Sequence, residues 1–346
     1  MRSKNLLSWF VIALMLLAGW PPAPAQTASP APAGPVQHQA PAPRLIPAGP
    51  GGLAFWRGEA IYYLPPLSKK PIHLRPGRFP ALSPDGKRLV FRTEQHKDEA
   101  AELVSGSFGS GLTLLEISSG KANAILQAEA SELIRDPVWS PAGDRLAFVA
   151  RTDLTARINL IQADGSGRRA IFSLGNTEQA GFILGLVWAS DGKSLWFHDN
   201  HHLYQVNDRG EMLAKIPVAT IMGPPSTKAG SARGCGDRFV PHPGDSRFLA
   251  FTKEVEAPQA FIRAFPADFP GVCALFLYDG RSKTRTRLTP KDMWVGHPCW
   301  SRDGKFLYFE GYRLADYQQE DPFRIYRINR DGKGLREITR GRDPSP

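Results

Sequence analysis

Apolar and polar positions alternate in short runs along most of this chain, and one pattern recurs. A brief apolar run, a polar turn built from Pro, Asp and Gly, and a second run ending in Leu-x-Phe appear five times. The copies run from Pro80 to Phe91, Pro137 to Phe148, Leu186 to Phe197, Phe239 to Phe251 and Pro298 to Phe309. They start roughly 50–60 residues apart. In the turn, Pro presets φ, Asp bonds its own backbone and Gly supplies positive φ. Leu89/Phe91, Leu146/Phe148, Leu195/Phe197, Leu249/Phe251 and Leu307/Phe309 are each two apart. That spacing puts both side chains on one face of a strand, ready to pack between neighbouring sheets.

Two more strand candidates follow in each copy. The third reads Ile158–Ile161, Leu203–Val206, Leu275–Tyr278 or Ile325–Ile328, and the fourth Arg287–Thr289 or Glu337–Thr339, with Asp-Gly turns between. Four antiparallel strands per repeat predict a propeller blade. A fainter sixth copy spans Arg44 to Leu74. Arg44–Ile46 is its candidate first strand, Leu53-Ala54-Phe55 the second, Ile61–Leu64 the third and Ile72–Leu74 the fourth. The expected fold is all-β, a six-bladed β-propeller of four-stranded antiparallel blades over residues 44–342, with 343–346 as a tail. Five blades plus a partial one is the alternative.

In such a blade the first-to-second and third-to-fourth turns share one face of the disc. Here those turns are tight. The segments of the opposite face include long ones: 92–111, 217–238, 252–274 and 310–324. Long loops on a rigid scaffold point to function, so this face is the expected binding surface. At strand ends beside it stand Asp136, Asp237, Arg238 and His297, and Arg92, Arg151, His198, Lys253 and Glu310. A ring of both signs suits a peptide terminus, a sugar or a partner loop.

The N-terminus changes the picture of where this occurs. Arg2 and Lys4 precede an apolar run from Leu6 to Leu17 and the small-x-small pattern Ala23-Pro24-Ala25. This predicts a cleavable signal peptide over 1–25 and a periplasmic or secreted mature chain with no integral membrane span. Residues 26–43, nearly all Ala, Pro, Gln, Thr, Ser and Gly, read as a linker without a core of their own. The formal net charge of +10 comes from basic residues scattered along the chain. Such a charge suits anionic surfaces or acidic partners, while an extracytoplasmic address argues against a nucleic-acid partner.

Candidate chemistry is sparse. The chain has three cysteines. Cys235 and Cys273 both fall on the long-loop side and are the expected disulfide, with Cys273–Cys299 as the alternative. His198, His201 and His202 form the one histidine cluster, but adjacent His201 and His202 point apart in an extended segment. The Asp-Gly pairs are explained as turns. No metal or cofactor is expected, and no nucleophile or acid–base set stands out.

The Trp-Ser-Pro-Asp-Gly-Lys-like turn followed by Leu-x-Phe resembles the TolB-type propeller repeat, which is WD40-like in build. It is carried by Ser83–Lys87, Trp139–Asp144 and Trp300–Lys305. The resemblance covers the blades alone, since TolB carries a separate α/β domain before its propeller. The repeat fold, the one-sided long loops and the absence of a catalytic signature point to a non-catalytic scaffold, acting as a monomer, for a protein, peptide or envelope glycan. One alternative the resemblance brings is a polysaccharide lyase or hydrolase at the channel mouth, as in pectin-cleaving lyases with a histidine-bound metal. The other is a Tol-like envelope component that meets a peptidoglycan-associated lipoprotein.

Overall fold

A computed structural model describes residues 46–94, 110–129, 132–152, 155–175, 183–199, 201–224, 238–264 and 271–346. The expected signal peptide 1–25 and linker 26–43 lie outside the described residues. So do Cys235 and Asp237.

Six four-stranded antiparallel sheets succeed one another along the chain. Blade 1 contains β1 (Leu53–Arg57), β2 (Ala60–Leu64) and β3 (Ile72–Pro76). Blade 2 contains β4 (Arg78–Leu82), β5 (Arg88–Glu94), β6 (Ser110–Glu116) and β7 (Ala122–Gln127). Blade 3 contains β8 (Leu133–Trp139), β9 (Arg145–Arg151), β10 (Thr155–Gln162) and β11 (Arg169–Gly175). Blade 4 contains β12 (Leu184–Trp188), β13 (Ser194–His198), β14 (His202–Asn207) and β15 (Met212–Pro217). Blade 5 contains β16 (Phe239–Pro241), β17 (Phe248–Glu256), β18 (Gly271–Asp279) and β19 (Thr284–Arg287). Blade 6 contains β20 (Met293–Trp300), β21 (Phe306–Arg313), β22 (Arg324–Asn329) and β23 (Arg336–Arg340).

The innermost strand of blade 1 comes from the other end of the chain. It is β24 (Arg342–Ser345), which pairs antiparallel with β1 through Ala54↔Ser345 and Trp56↔Arg342. This corrects two expectations. Residues 343–346 are not a tail, and the inner strand of blade 1 is not Arg44–Ile46. Pairing strands from opposite ends of the chain closes the ring and covers the inner edge of β1.

The Leu-x-Phe positions are the core. Phe55, Phe91, Phe148, Phe197, Phe251 and Phe309 are all fully buried, each worth about 1.5–3 kcal/mol relative to exposure. In four blades the Phe faces an aromatic residue directly across the strand pair. Phe55 stacks on Tyr62, Phe197 on Tyr204, Phe251 on Phe276 and Phe309 on Tyr326, with centroids 5.0–5.7 Å apart.

The turn motif does a second job, joining one blade to the next. Trp139 Nε1 donates to the Ala81 carbonyl of blade 2 at 2.9 Å. Arg88 of blade 2 reaches back over the Trp139 ring at 4.8 Å and donates to Gly143 O at 2.7 Å. Trp188 and Arg145 repeat this between blades 3 and 4, through Trp188 Nε1 to Val138 O at 3.3 Å and Arg145 Nη2 to Gly192 O at 3.0 Å. Trp300 Nε1 donates to Val240 O at 2.9 Å between blades 5 and 6. There His242 takes the arginine's place, 3.0 Å from Gly304 O and edge-on to Trp300. Between blades 4 and 5, Ser194 and Pro241 occupy the Arg and Trp positions, so this seam has neither half of the staple.

The long-loop face is partly hairpin extension. β17 and β18 stay paired out to Glu256↔Gly271, with a short helix at Gln259–Ala264 beyond. In blade 6, β21 runs to Arg313 before a 3-10 turn at Leu314–Asp316. Among the described residues no helix is long and apolar enough to cross a membrane.

Candidate functional site

Each inner strand enters from the long-loop face and runs toward the tight turns. Its entry residue falls at one repeated position: Phe79, Asp136, Gly185, Arg238, His297 and Asp343 for blades 2–6 and 1. Four of them precede proline. Five have positive φ, between 44° and 61°. The ladder shifts register beside these five, as β-bulges do when they re-aim side chains. For the non-glycine residues this conformation costs on the order of 1–3 kcal/mol each, which the surrounding ladder must hold in place.

The bulges bring charges from distant blades together. Arg238 of blade 5 lies 3.4 Å from Asp136 of blade 3 and 3.4 Å from Asp343 of blade 1. These are alternate blades, so the guanidinium sits on the propeller axis and bars the channel at its long-loop end. Burial disfavours the Arg238 charge, but Asp343 and Asp136 outweigh it and raise its pKa. Burial raises the Asp343 carboxyl, with Arg238 and His297 opposing.

Beside this bridge, His297 Nδ1 lies 3.0 Å from Glu310 Oε1, an ion-pair contact off the ideal hydrogen-bond line. The Asp343 amide donates to Glu310 Oε2 at 2.8 Å. Burial opposes the His297 charge, yet Glu310 raises its pKa above the ordinary value. Glu310 is held below the usual carboxylate range because His297 and the Asp343 amide outweigh its desolvation.

The expected site residues thus divide. Asp136, Arg238, His297 and Glu310 meet at the axis, and the position after the Leu-x-Phe phenylalanine supplies their neighbours. Glu310 holds that position in blade 6, Arg92 in blade 2 and His198 in blade 4. Arg92 lies 4.7 Å over the Phe79 ring. His198 is buried, its Nδ1 2.9 Å from Asp199 O and its ring edge-on to Phe239. Lys253 is one residue further out and caps a helix: its Nζ donates to Met222 O and Pro224 O at the end of Val218–Met222. Arg151 ends β9 opposite Leu133 and Ala156, three residues beyond Phe148.

His201 and His202 donate their amides to Asp199 rather than converging with His198. Among the described residues no group of three or more His, Cys, Asp or Glu is placed to hold a metal. Cys273 is disulfide-bonded and Cys299 is a free thiol, which rules out the alternative Cys273–Cys299 pairing.

Asp343 was missed, though a signal existed. Gly341-Arg342-Asp343-Pro344 repeats Gly77-Arg78-Phe79-Pro80. Gly77 and Gly341 have φ +150° and +147°, and a Cβ on either would fall 2.4 Å from Phe91 or Phe55.

Beyond the axial bridge the channel widens into a funnel of about 1160 Å³. Its wall is Val138, Val187, Val240 and Cys299 on the inner strands. Its mouth is Pro84, Pro141, Pro243 and Arg302 on the tight-turn face. It also runs outward between blades 4 and 5, past Trp196, Gln205, Leu249 and Tyr278, where the Trp–Arg staple is missing. The open cavity therefore faces away from the long loops. Cys299 Sγ donates to Pro344 O at 3.1 Å, and burial pushes its thiol pKa up.

Solved propellers share the fold. TolB from Acinetobacter baumannii superposes with a TM-score of 0.58 at 14% identity, over 85% of this chain and 66% of that one. The Agrobacterium tumefaciens protein described as a TolB gives 0.51 at 17%, over 80% and 87%. A chain of the nidogen/laminin complex gives 0.52 at 13%, over 85% and 97%. The fold is a TolB-type propeller. Identity this low speaks to fold alone, and the chain spans 66% of the length of the A. baumannii TolB chain. No family model matches the sequence, and no curated protein matches it.

Proposed function

We propose that this TolB-type propeller is a non-catalytic binding scaffold of the cell envelope that takes an extended segment of a protein partner into its axial funnel. The observation that carries this is the funnel itself, which is apolar along its wall, open at the tight-turn face and closed at the far end. At its closed end Arg238 is engaged with Asp136 and Asp343, and on its rim Arg247 with Asp279, which leaves Arg302 and Lys283 as the cations at the open mouth. A thiol with a raised pKa is a poor nucleophile, so Cys299 adds packing rather than chemistry. Apolar pockets with a few fixed polar groups are the usual form of a binding site. A periplasmic or secreted address follows from the signal-like N-terminus and supports an envelope partner. The TolB and nidogen/laminin folds support a protein ligand over a small metabolite.

The test is capture from envelope extract with the mature chain, followed by the same capture with Val187→Trp. Val187 is partly buried on the funnel wall, and an indole there narrows the channel. Loss of a partner in the variant, with unchanged melting, supports the reading. Equal capture by both proteins, or turnover of peptides or acidic polysaccharides by the wild type, would sink it.

A further inference from the structure

At three seams an indole fills the space between two blades. Trp139, Trp188 and Trp300 each lean on the preceding blade and donate to one inner-strand carbonyl, that of Ala81, Val138 or Val240. Outward from that carbonyl the register continues in an aliphatic row. It is Ala81, Val90 and Leu114 in blade 2, and Val138, Ala147 and Leu160 in blade 3. In blade 5 it is Val240, Ala250 and Leu277. Each row packs in one cluster with the indole that covers it.

Blade 4 departs from this pattern. Its row is Val187, Trp196 and Gln205, so a half-buried amide stands where the other blades have leucine. The residue of blade 5 in the tryptophan position is Pro241, which has no ring N–H to give. Among the described residues no side chain donates to the Val187 carbonyl. Gln205 Nε2 donates to Ser194 Oγ at 2.8 Å, which leaves its amide oxygen as an open acceptor. The funnel reaches outward at this seam, between Trp196 and Gln205 on one side and Leu249 and Tyr278 on the other. Two further seams lack the tryptophan, with Leu82 and Pro346 in its place. There the cavity stops at the inner strands, because no described residue of β1, β2, β5, β21 or β22 lines it.

We infer that the slot between blades 4 and 5 receives a tryptophan side chain of the partner segment. The fold itself seats an indole at three equivalent places, which identifies the shape and the donor that this one accepts. Trp139 and Trp188 lie under Arg88 and Arg145; the partner's indole lies against Trp196 instead, an aromatic contact that adds to the burial of both rings. Its N–H meets Val187 O as the chain's own indoles meet their carbonyls. A leucine or phenylalanine fills the apolar part of the slot but leaves a desolvated acceptor without a donor, which is costly. This inference rests on the funnel reading above and names the side chain that anchors the segment there.

Selection of random peptides displayed on phage against the mature chain tests it. Retained peptides should share one tryptophan. In fluorescence anisotropy with a synthetic copy of one, replacing that tryptophan by leucine should weaken binding at least about tenfold, equivalent to about 1.4 kcal/mol. Replacing it by naphthylalanine, which keeps the ring area and removes the N–H, should also weaken binding, by about tenfold. Pro241→Trp supplies the missing indole from within the chain. It should weaken the tryptophan peptide at least about tenfold and leave the leucine peptide unchanged, with a melting temperature equal to or above that of the wild type. Gln205→Phe, which fills the outer end of the slot, should act in the same direction. Should Pro241→Trp fail to fold, Gln205→Phe and the peptide replacements still decide. Retained peptides that lack tryptophan yet are released by Val187→Trp overturn this inference and leave the funnel reading standing. A tryptophan peptide indifferent to Pro241→Trp and Gln205→Phe overturns it as well. Absence of any retained peptide overturns both.

Discussion

Arg238 and Asp343 come from blades that are not neighbours, yet their side chains lie 3.4 Å apart across the propeller axis. Asp343 belongs to the last strand of the chain, which is also the innermost strand of the first blade. One ion pair therefore joins the axial bridge to the closure of the ring.

Removing its cation should be costly. Arg238→Met leaves Asp136 and Asp343 facing each other in a buried site, with His297, already paired to Glu310, as the remaining cation nearby. Breaking a buried pair from one side typically costs about 3–5 kcal/mol. Urea unfolding should show a loss in that range. Adding Asp136→Asn and Asp343→Asn to Arg238→Met should recover a large part of it, because the carboxylates then need no partner.

Deletion of residues 342–346 should be more damaging than loss of the ion pair. It removes β24 and with it the pairing to β1, the Ser345 Oγ that accepts from Leu82 N at 2.9 Å, and the Arg302 contact to Pro346 O. The expected outcome is loss of a single cooperative melt, measured by calorimetry. A deletion chain that melts like the wild type would contradict the assignment of β24 as a ring-closing strand.

Stability should depend on pH through His297. Its pKa is raised in the folded state, so its contribution is complete below the unfolded value near 6.5. It is lost as pH rises through the folded value. Glu310 works in the opposite window: its lowered pKa gives a contribution present above the unfolded value near 4.5 and lost as pH falls through the folded one. Asp343, whose pKa is raised, instead favours the folded state more as pH falls. Chemical denaturation from pH 6 upward should show a decline in stability that His297→Gln flattens.

The Trp staples should differ in strength. Trp300→Phe leaves a buried carbonyl, Val240 O, without its 2.9 Å donor, whereas the Trp188 bond is 3.3 Å long and only partly buried. Loss of such a bond costs about 1–3 kcal/mol when the partner stays buried. Trp300→Phe should therefore lower the melting temperature more than Trp188→Phe.

Cys273 is disulfide-bonded while Cys299 is a thiol. Peptide mapping without reductant should recover a Cys235–Cys273 pair and alkylatable Cys299 once the chain is unfolded. Reduction should destabilise the protein by about 2–4 kcal/mol. Recovery of all three thiols unmodified would reject the pairing.

By itself the sequence determined the blade. Leu-x-Phe at period two, the Pro-Asp-Gly turns and their recurrence are local features, and each follows from φ preferences and side-chain alternation. They placed Phe55, Phe91, Phe148, Phe197, Phe251 and Phe309 in the core before any distance was known. The candidate ring was legible in part, because strand ends next to long loops could be counted. What the tertiary structure alone decided is who meets whom. Arg238 reaches Asp136 and Asp343 only because six sheets arranged about one axis bring alternate blades within reach. Lys253 looked equivalent to Glu310 by its place after a strand, but one extra residue along the strand turns it to the other face and onto a helix end. The first-blade strand was hidden for a related reason: Arg342-Asp343-Pro344-Ser345 has no apolar run, and its partner Ala54 lies at the far end of the chain. The bladed repeat is thus a property of local patterning, whereas its barred axis, its funnel and its ring closure arise from contacts between residues that sequence distance keeps apart.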